Sequence, residues 1–327
     1  MGTKIRWGVL GNAKIAREKV IPGMQGGKHS VVTALASRDL EKARPVCDSL
    51  GIGTLHASYE DLLADPNVDA IYNPLPNNLH ISWSVQAAAA GKHVLCEKPI
   101  GLSSVEALDL IAARDRYGVK IGEAFMAKTH PQWLRAKAIV DSGALGDLRL
   151  MTCVFSYFNR DAANIRNSLS YGGGALMDIG CYPVTLSRMI FGTEPTQVSA
   201  SVERDPDFGI DRLTSAILDY PQGQCVFSCS TQLSPYQRVL IFGTKGRVEI
   251  EIPFNAPPDR PTRIIVDPGG VEEFPVCDQY TIQGDLFSRA IQENSEVPVP
   301  LEDSLANMKL IEAIFRSGTS RQWEPVR

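Results

Sequence analysis

Ile5-Arg6-Trp7-Gly8-Val9-Leu10 is an apolar run of strand length, and Gly11-Asn12-Ala13-Lys14-Ile15-Ala16 follows it without a gap. A strand that runs into a glycine turn and then a helix is the opening half of a βαβ unit. The spacing G-x-A-x-x-A is a relaxed form of G-x-G-x-x-G, whose small residues let the backbone approach a pyrophosphate at a helix N-terminus. A plain strand-turn-helix has the same look, so the turn gains its meaning from what surrounds it.

The surroundings repeat the pattern. Short apolar runs at Val31–Ala36, Asp69–Asn73, His93–Cys96 and Val119–Glu123 alternate with amphipathic stretches. Ser58 with Asp61 and Ser103 with Glu106 have the spacing of helix N-terminal caps. Val105, Leu108, Ile111 and Ala112 then mark one helical face. Pro22 and Pro45 predict kinks or early helix ends. Alternation of this kind specifies a doubly wound parallel α/β sheet over residues 1–123.

From 124 to 327 the pattern changes. One helix, Pro131–Ser142, leads into long runs at Leu148–Phe158, Gln197–Glu203, Leu213–Asp219, Cys225–Gln232, Gln237–Phe242, Val248–Ile252 and Arg263–Val266. Turns at Pro221-Gln222-Gly223 and Thr244-Lys245-Gly246 join consecutive strands, which predicts an α+β domain with a large, mostly antiparallel open-faced sheet. Helical stretches are expected at Leu176–Phe191, Ile282–Glu293 and Asp303–Arg316. An open sheet needs its far face covered, and a second copy is the simplest cover. A homodimer or homotetramer through this sheet is therefore expected.

Composition narrows the class. With 327 residues, 44% hydrophobic and 21% charged, the chain reads as an ordinary two-domain globular protein. A net charge of -4 and the lack of a long basic run argue against a nucleic-acid partner. No apolar stretch is long enough to span a membrane. The first strand begins too near Met1 to leave room for a secretory signal. Met1-Gly2-Thr3 opens like a myristoylation site, but Arg6 stands where Ser or Thr is required. Seven cysteines lack paired spacing, and Cys225 and Cys229 on one strand would lie about 13 Å apart. A reduced, cytoplasmic protein fits that pattern. The five histidines form no ligand cluster, so no metal is expected.

The end of the second strand speaks to the cofactor. An acidic residue there selects NAD by binding the ribose hydroxyls, whereas Ala36-Ser37-Arg38-Asp39 offers a hydroxyl and a guanidinium fork suited to a 2′-phosphate. With Lys42 a turn later, NADP is favoured over NAD. Asp39 argues the other way, and Arg38 also reads as a solvated surface arginine. Pro74, Leu75 and Asn77 form a stiff loop at the sheet edge where ligands bind. His80 follows, either facing the nicotinamide ribose or serving the structure.

Two motifs carry chemistry. Glu97-Lys98-Pro99 ends the fourth apolar run, with Glu97 keeping Lys98 charged. Gly172-Gly173-Gly174-Ala175-Leu176-Met177-Asp178-Ile179-Gly180-Cys181-Tyr182 places Asp178 and Tyr182 four apart, on one face if helical. A cation, a carboxylate and a phenol are the groups needed to move a proton at a hydroxyl while a hydride leaves. A free tyrosine has a pKa of about 10, and a nearby ammonium lowers it. Lys98 also reads as a surface lysine, and Tyr182 as a packed aromatic with its hydroxyl satisfied.

These motifs, with Tyr72-Asn73-Pro74-Leu75-Pro76-Asn77, Ala90-Gly91-Lys92-His93-Val94-Leu95-Cys96 and Asp303-Ser304-Leu305-Ala306-Asn307-Met308, resemble the glucose–fructose oxidoreductase / inositol dehydrogenase / rhizopine catabolism (Gfo/Idh/MocA) family over essentially the whole chain. The resemblance implies a Rossmann domain, a C-terminal sheet that forms oligomers, and a catalytic role for Lys98. Many members have His where this chain has Tyr182. Tyrosine there resembles the branch holding D-xylose 1-dehydrogenases and trans-dihydrodiol dehydrogenases, which mostly use NADP. Glu123-Ala124-Phe125-Met126 before His130-Pro131 also resembles that branch, though Lys128 stands where its members often have Arg.

The activity so implied is NADP-dependent hydride transfer at a sugar or polyol carbon, foremost an aldose (D-xylose-like) 1-dehydrogenase. Keto-sugar reduction, trans-dihydrodiol oxidation and non-catalytic dinucleotide-binding regulation are the alternatives. Tyr182, Lys98 and Asp178 are the catalytic residues expected. Gly11, Asn12, Ala13, Lys14, Ile15, Ser37, Arg38, Lys42, Pro74, Leu75, Asn77, His80, Glu97 and Lys98 are expected at the cofactor. Arg166 and Tyr280 are expected to join Lys98, Asp178 and Tyr182 at the carbohydrate.

Overall fold

The computed structural model describes residues 3–327, so Met1 and Gly2, on which the reading of an acylation site turned, lie outside the described residues. The chain divides into two compact units, Met1–Thr129 with Asp278–Leu305, and His130–Cys277 with Ala306–Arg327.

The first unit is a six-stranded sheet among the described residues. Its strands are β1 (Ile5–Leu10), β2 (Ser30–Ala36), β3 (Thr54–His56), β4 (Ala70–Asn73), β5 (His93–Glu97) and β6 (Ile121–Ala124). They run parallel in the order β3-β2-β1-β4-β5-β6, with the chain reversing direction of growth beside β1. Trp7, Val9 and Leu10 are fully buried because a parallel sheet is covered on both faces, which is why β1 reads as a continuous apolar run. The crossover helices are α1 (Ile21–Gln25), α2 (Leu40–Leu50), α3 (Tyr59–Ala64), α4 (His80–Ala89) and α5 (Ser104–Tyr117).

The caps read from sequence are formed: Ser58 accepts the Asp61 amide at 3.0 Å, and Ser103 accepts that of Glu106 at 3.2 Å. Two expectations need correction. Helix α2 runs on through Pro45 to Leu50 instead of ending early, whereas Pro22 follows a π-helical turn, Ala16–Val20, so the helix is irregular there as expected. On α5 the buried stripe is Ala107, Leu110 and Ala113, while Val105 and Leu108 are exposed.

The segment Asp278–Leu305 returns to this unit, a difference from a single break after residue 123. Its helix Gln279–Gln292 packs Phe287 edge-on against Trp7 at 5.6 Å between centroids, and Trp7 Nε1 donates to Ser288 at 3.0 Å. Asp285 accepts the amides of Lys28 and His29, both at 2.8 Å, fixing the same helix at the start of β2.

The second unit is built on a nine-stranded sheet among the described residues. Its strands are β7 (Leu148–Phe158), β8 (Gln197–Arg204), β9 (Asp211–Tyr220), β10 (Gly223–Ser230), β11 (Gln232–Gly243), β12 (Arg247–Ile250), β13 (Thr262–Asp267), β14 (Gly270–Phe274) and β15 (Glu324–Pro325). The order is β14-β13-β12-β11-β7-β10-β9-β8-β15, with β7 and β10 parallel and the other pairings antiparallel. Met151, Cys153, Phe155, Cys225, Phe227 and Cys229 fill one face, and two helices, α6 (Pro131–Asp141) and α7 (Cys181–Phe191), belong to this unit. Val154, Phe158, Val226 and Tyr236 are exposed. The run Cys225–Gln232 is not one strand: β10 ends at Ser230 and Gln232 begins β11. Among the described residues no disulfide joins the seven cysteines, and no helix is long and apolar enough to cross a membrane.

Candidate functional site

In the first unit, β1 ends at Leu10, and Gly11 next to it turns the chain with φ +77°. A Cβ there would sit 3.1 Å from Leu75 Cδ2 and 3.2 Å from the Tyr59 hydroxyl, so only glycine suits the position. The Asn12 amide group donates to the Lys42 carbonyl at 3.3 Å, while its Oδ1 is buried with no hydrogen-bond partner. Gly11, Asn12, Ser37, Arg38, Asp39 and Tyr59 line one open cleft. A glycine cradle and an unused buried acceptor fit the phosphates and hydroxyls of a dinucleotide.

Asp39 is explained by its local work. Its carboxylate caps α2 by accepting the Lys42 amide at 3.1 Å and pairs with the Lys42 ammonium at 2.8 Å. The hydrogen bond from Lys42 holds the Asp39 carboxyl below the usual carboxylate range. Lys42 keeps most of its side chain in solvent beside this pair, 82% exposed. The Ser37 hydroxyl spans the same turn, donating to the Asp39 carbonyl at 3.0 Å. Arg38 lies beside the Tyr59 phenol, whose pKa burial raises and Arg38 lowers. Tyr59 was not anticipated; the only sequence signal was its place one residue after the Ser58 cap. Lys14 extends into solvent near Glu18, at 3.9 Å.

His80 turns out to be a clasp. It is fully buried, its Nε2 lies 2.7 Å from the Leu75 carbonyl and its Nδ1 2.8 Å from that of Pro99. Burial pushes its pKa down to about 4. The neutral imidazole sits between the Pro74-Leu75-Pro76 loop and the Glu97-Lys98-Pro99 turn, and its single N–H donates to one of the two carbonyls at a time. Asn77 opens a short 3₁₀ turn just before it. Asn73 shapes that loop from below, accepting the Leu75 amide at 3.2 Å and donating to Ser84 at 3.0 Å.

Glu97 ends β5 and accepts the Tyr72 hydroxyl at 2.6 Å and the Lys98 amide at 3.3 Å. Burial, then the Glu97 charge, raises the pKa of both Tyr72 and Tyr280. Tyr280 thus stands by Glu97 within the first unit. Lys98 is half-buried at the strand end, joined to Pro99 by a cis peptide.

In the second unit, Leu176–Gly180 forms a π-helical turn that continues into α7. Such turns recur at functional sites because they re-aim side chains within a helix. Asp178 lies in this turn and Tyr182 at the start of α7. Asp178 Oδ1 pairs with Arg166 Nε at 3.0 Å, and Oδ2 accepts the Tyr157 hydroxyl at 2.5 Å. The Tyr182 ring is packed by Phe155, edge-on at 5.6 Å, and by Phe254 at 5.2 Å. Phe254 in turn stacks on Phe155 at 4.5 Å. Arg166 and Asp178 are thereby brought together as expected. Tyr157 joins them from β7 without any motif to mark it. Its pKa is raised by burial first and the Asp178 charge second, so it is a committed hydrogen-bond donor.

A dinucleotide turn on a doubly wound sheet, followed by a wide sheet carrying an aspartate-tyrosine helix, defines a class of two-domain oxidoreductases. Residues 5–125 match the oxidoreductase family with the NAD-binding Rossmann fold, and residues 133–249 match the GFO/IDH/MocA C-terminal domain. The chain belongs to the Gfo/Idh/MocA oxidoreductase family. It is 46% identical to an uncharacterized oxidoreductase, ORF334, of Rhizobium meliloti, over 98% of this chain and 99% of that one. It is 38% identical to a D-xylose 1-dehydrogenase (NADP(+)) of Haloferax volcanii, over 95% and 96% of the two chains. Among solved structures, an aldose-aldose oxidoreductase from Caulobacter crescentus superposes with a TM-score of 0.91 at 27% identity, covering 99% of this chain and 100% of that one.

Proposed function

We propose that the protein is an NADP-dependent sugar dehydrogenase, best described as an aldose 1-dehydrogenase that accepts a D-xylose-like substrate. The observation that carries this reading is the fixed Tyr157–Asp178–Arg166 cluster one helical turn from Tyr182. A carboxylate clamped on both oxygens is a rigid polar wall of the sort that orients a polyhydroxyl ligand. The names of the D-xylose dehydrogenase and aldose-aldose oxidoreductase relatives support the same substrate class.

When bound, the nicotinamide supplies the hydride acceptor. The rest belongs to the protein. Tyr182 takes the proton of the reacting hydroxyl, Lys98 hydrogen-bonds the same oxygen and favours the phenolate, and Asp178 orients the sugar. Gly11, Asn12, Ser37 and Arg38 hold the cofactor, with Arg38 and Ser37 addressing the 2′-phosphate. Ala13, Lys14 and Ile15 supply the helix start behind Gly11, and His80 acts by holding Leu75 and Pro99 in place. Arg166 faces the substrate through its bond to Asp178.

Purified protein assayed by nicotinamide absorbance against D-xylose, D-glucose and other aldoses, with NADP and with NAD, tests the reading. NADP-dependent turnover supports it. Turnover solely of keto-sugars with NADPH would replace it with the reductase reading. A homodimer or homotetramer joined through the sheet of the second unit accounts for exposed Val154, Phe158, Val226 and Tyr236. Light scattering that returned a monomer at every concentration would remove that part. The absence of any disulfide among the described residues suits a cytoplasmic setting.

A further inference from the structure

Asp211, the first residue of β9, is the buried acid with the most specific surroundings in the second unit. Its carboxylate is 1% exposed, and Oδ2 accepts both the Leu176 amide at 2.7 Å and the Thr214 hydroxyl at 2.8 Å. Leu176 opens the π-helical turn that contains Asp178. The other carboxylate oxygen lies where Gly174 leaves room: a Cβ on Gly174 would come within 2.0 Å of Oδ1, and the residue has φ +117°. The Gly174 amide donates to the Arg166 carbonyl at 2.9 Å, and the Gly174 carbonyl accepts the Asp178 amide at 3.1 Å. One carboxylate thus meets, at a single point, the start of the helical segment, the glycine that precedes it, and through that glycine the loop that carries Arg166.

We propose that Asp211 is a positioning residue, whose buried carboxylate seats the Gly174–Tyr182 segment on β9 and thereby sets where Asp178 and Tyr182 present their polar atoms. The inference rests on the reading that Tyr182 acts in the reaction. It assigns a task to the third glycine of the motif as well. That glycine is the space into which Asp211 fits.

The physical reason is rigidity. A π-helical turn has unpaired amides at its start, and a single strong acceptor that is itself anchored by Thr214 removes their freedom. Buried, and bonded through Oδ2 to both Leu176 and Thr214, the carboxylate allows the segment one seat, and small displacements of a reacting group are costly to rate.

The test compares Asp211→Asn and Asp211→Ala with the wild-type protein and with Tyr182→Phe. Asparagine can keep its carbonyl oxygen at the Oδ2 position, accepting from Leu176 and Thr214, so Asp211→Asn is expected to keep kcat within about threefold. Asp211→Ala is expected to lower kcat per folded molecule at least about tenfold, leaving the KM for NADP within twofold. Hydrogen exchange of the 174–182 peptide should quicken in Asp211→Ala and stay slow in Asp211→Asn. Unchanged kcat and exchange in Asp211→Ala, or a loss that asparagine does not relieve, would overturn the proposal. If Asp211→Ala yields no folded protein, Thr214→Val carries the test: a kcat lowered at least about fivefold supports the seat, and one within about threefold of wild type rejects it. Should Tyr182→Phe retain full turnover, the catalytic reading fails, and the exchange measurement still judges the seat by itself.

Discussion

The hydroxyl of Tyr157 donates a 2.5 Å hydrogen bond to Oδ2 of Asp178, 21 residues away in sequence. The opposite oxygen of Asp178 is taken by Arg166 at 3.0 Å. A carboxylate held this way cannot rotate, so whatever it orients inherits its direction. Removing the phenol in Tyr157→Phe takes away a charge-assisted hydrogen bond worth about 1.5–3 kcal/mol, or about 10–100-fold. The expected result is a fall of that order in kcat/KM for the sugar, with the KM for NADP little changed. Steady-state kinetics with each substrate varied in turn measures it.

Arg38 and Ser37 line the open cleft proposed for the cofactor, and Asp39, which also lines it, caps α2. Arg38→Ala should therefore raise the KM for NADP about 10–100-fold and leave that for NAD within about threefold. Equal losses with both cofactors would mean that Arg38 does not read the 2′-phosphate.

Gly11 has φ +77°, and a side chain there meets Leu75 and Tyr59. Gly11→Ala is expected to cost about 1–2 kcal/mol of stability and to weaken dinucleotide binding. Thermal melts with and without NADP measure both effects, and the stabilisation conferred by the cofactor should shrink.

Glu123 on β6 is 3% exposed, and burial lifts its pKa to about 7, only partly offset by Ser304. The folded state therefore holds that proton more tightly than the unfolded chain does. Its contribution to stability is present below the ordinary glutamate range and is lost as pH rises towards about 7. Glu123→Gln should consequently be more stable than wild type at pH 8, by an amount on the order of 2 kcal/mol, and close to it near pH 4. Denaturant melts at the two pH values decide the sign.

Much of this architecture could be read from the chain because buried parallel strands are apolar throughout. Ile5–Leu10 was legible for that reason, and Ser58 and Ser103 cap where their spacing says they should. Thr54–His56 and Gly270–Phe274 were not legible. They are short edge strands with little buried side chain, so no apolar run marks them. Leu169 and Tyr171, apolar yet exposed, show the converse.

Among the candidate site residues, Lys98, Asp178 and Tyr182 stood out because each lies in a dense motif. Tyr59, Tyr157 and Asp211 did not, because each gains its place through tertiary proximity to a residue far along the chain. Asp39 was ambiguous from sequence, since capping a helix and binding a ribose call for the same side chain. The structure shows the cap, with Asp39 accepting the Lys42 amide.

The central claim is that Lys98 and Tyr182 together drive NADP-dependent oxidation of an aldose. The most direct measurement is the single-turnover rate of NADPH formation with D-xylose and the other aldoses for wild type, Lys98→Met and Tyr182→Phe. The account predicts turnover by the wild-type protein and a loss of at least about a hundredfold in each variant, with NADP binding retained. Wild-type rates in either variant, or no oxidation of any aldose by a wild-type protein that binds NADP, would contradict it.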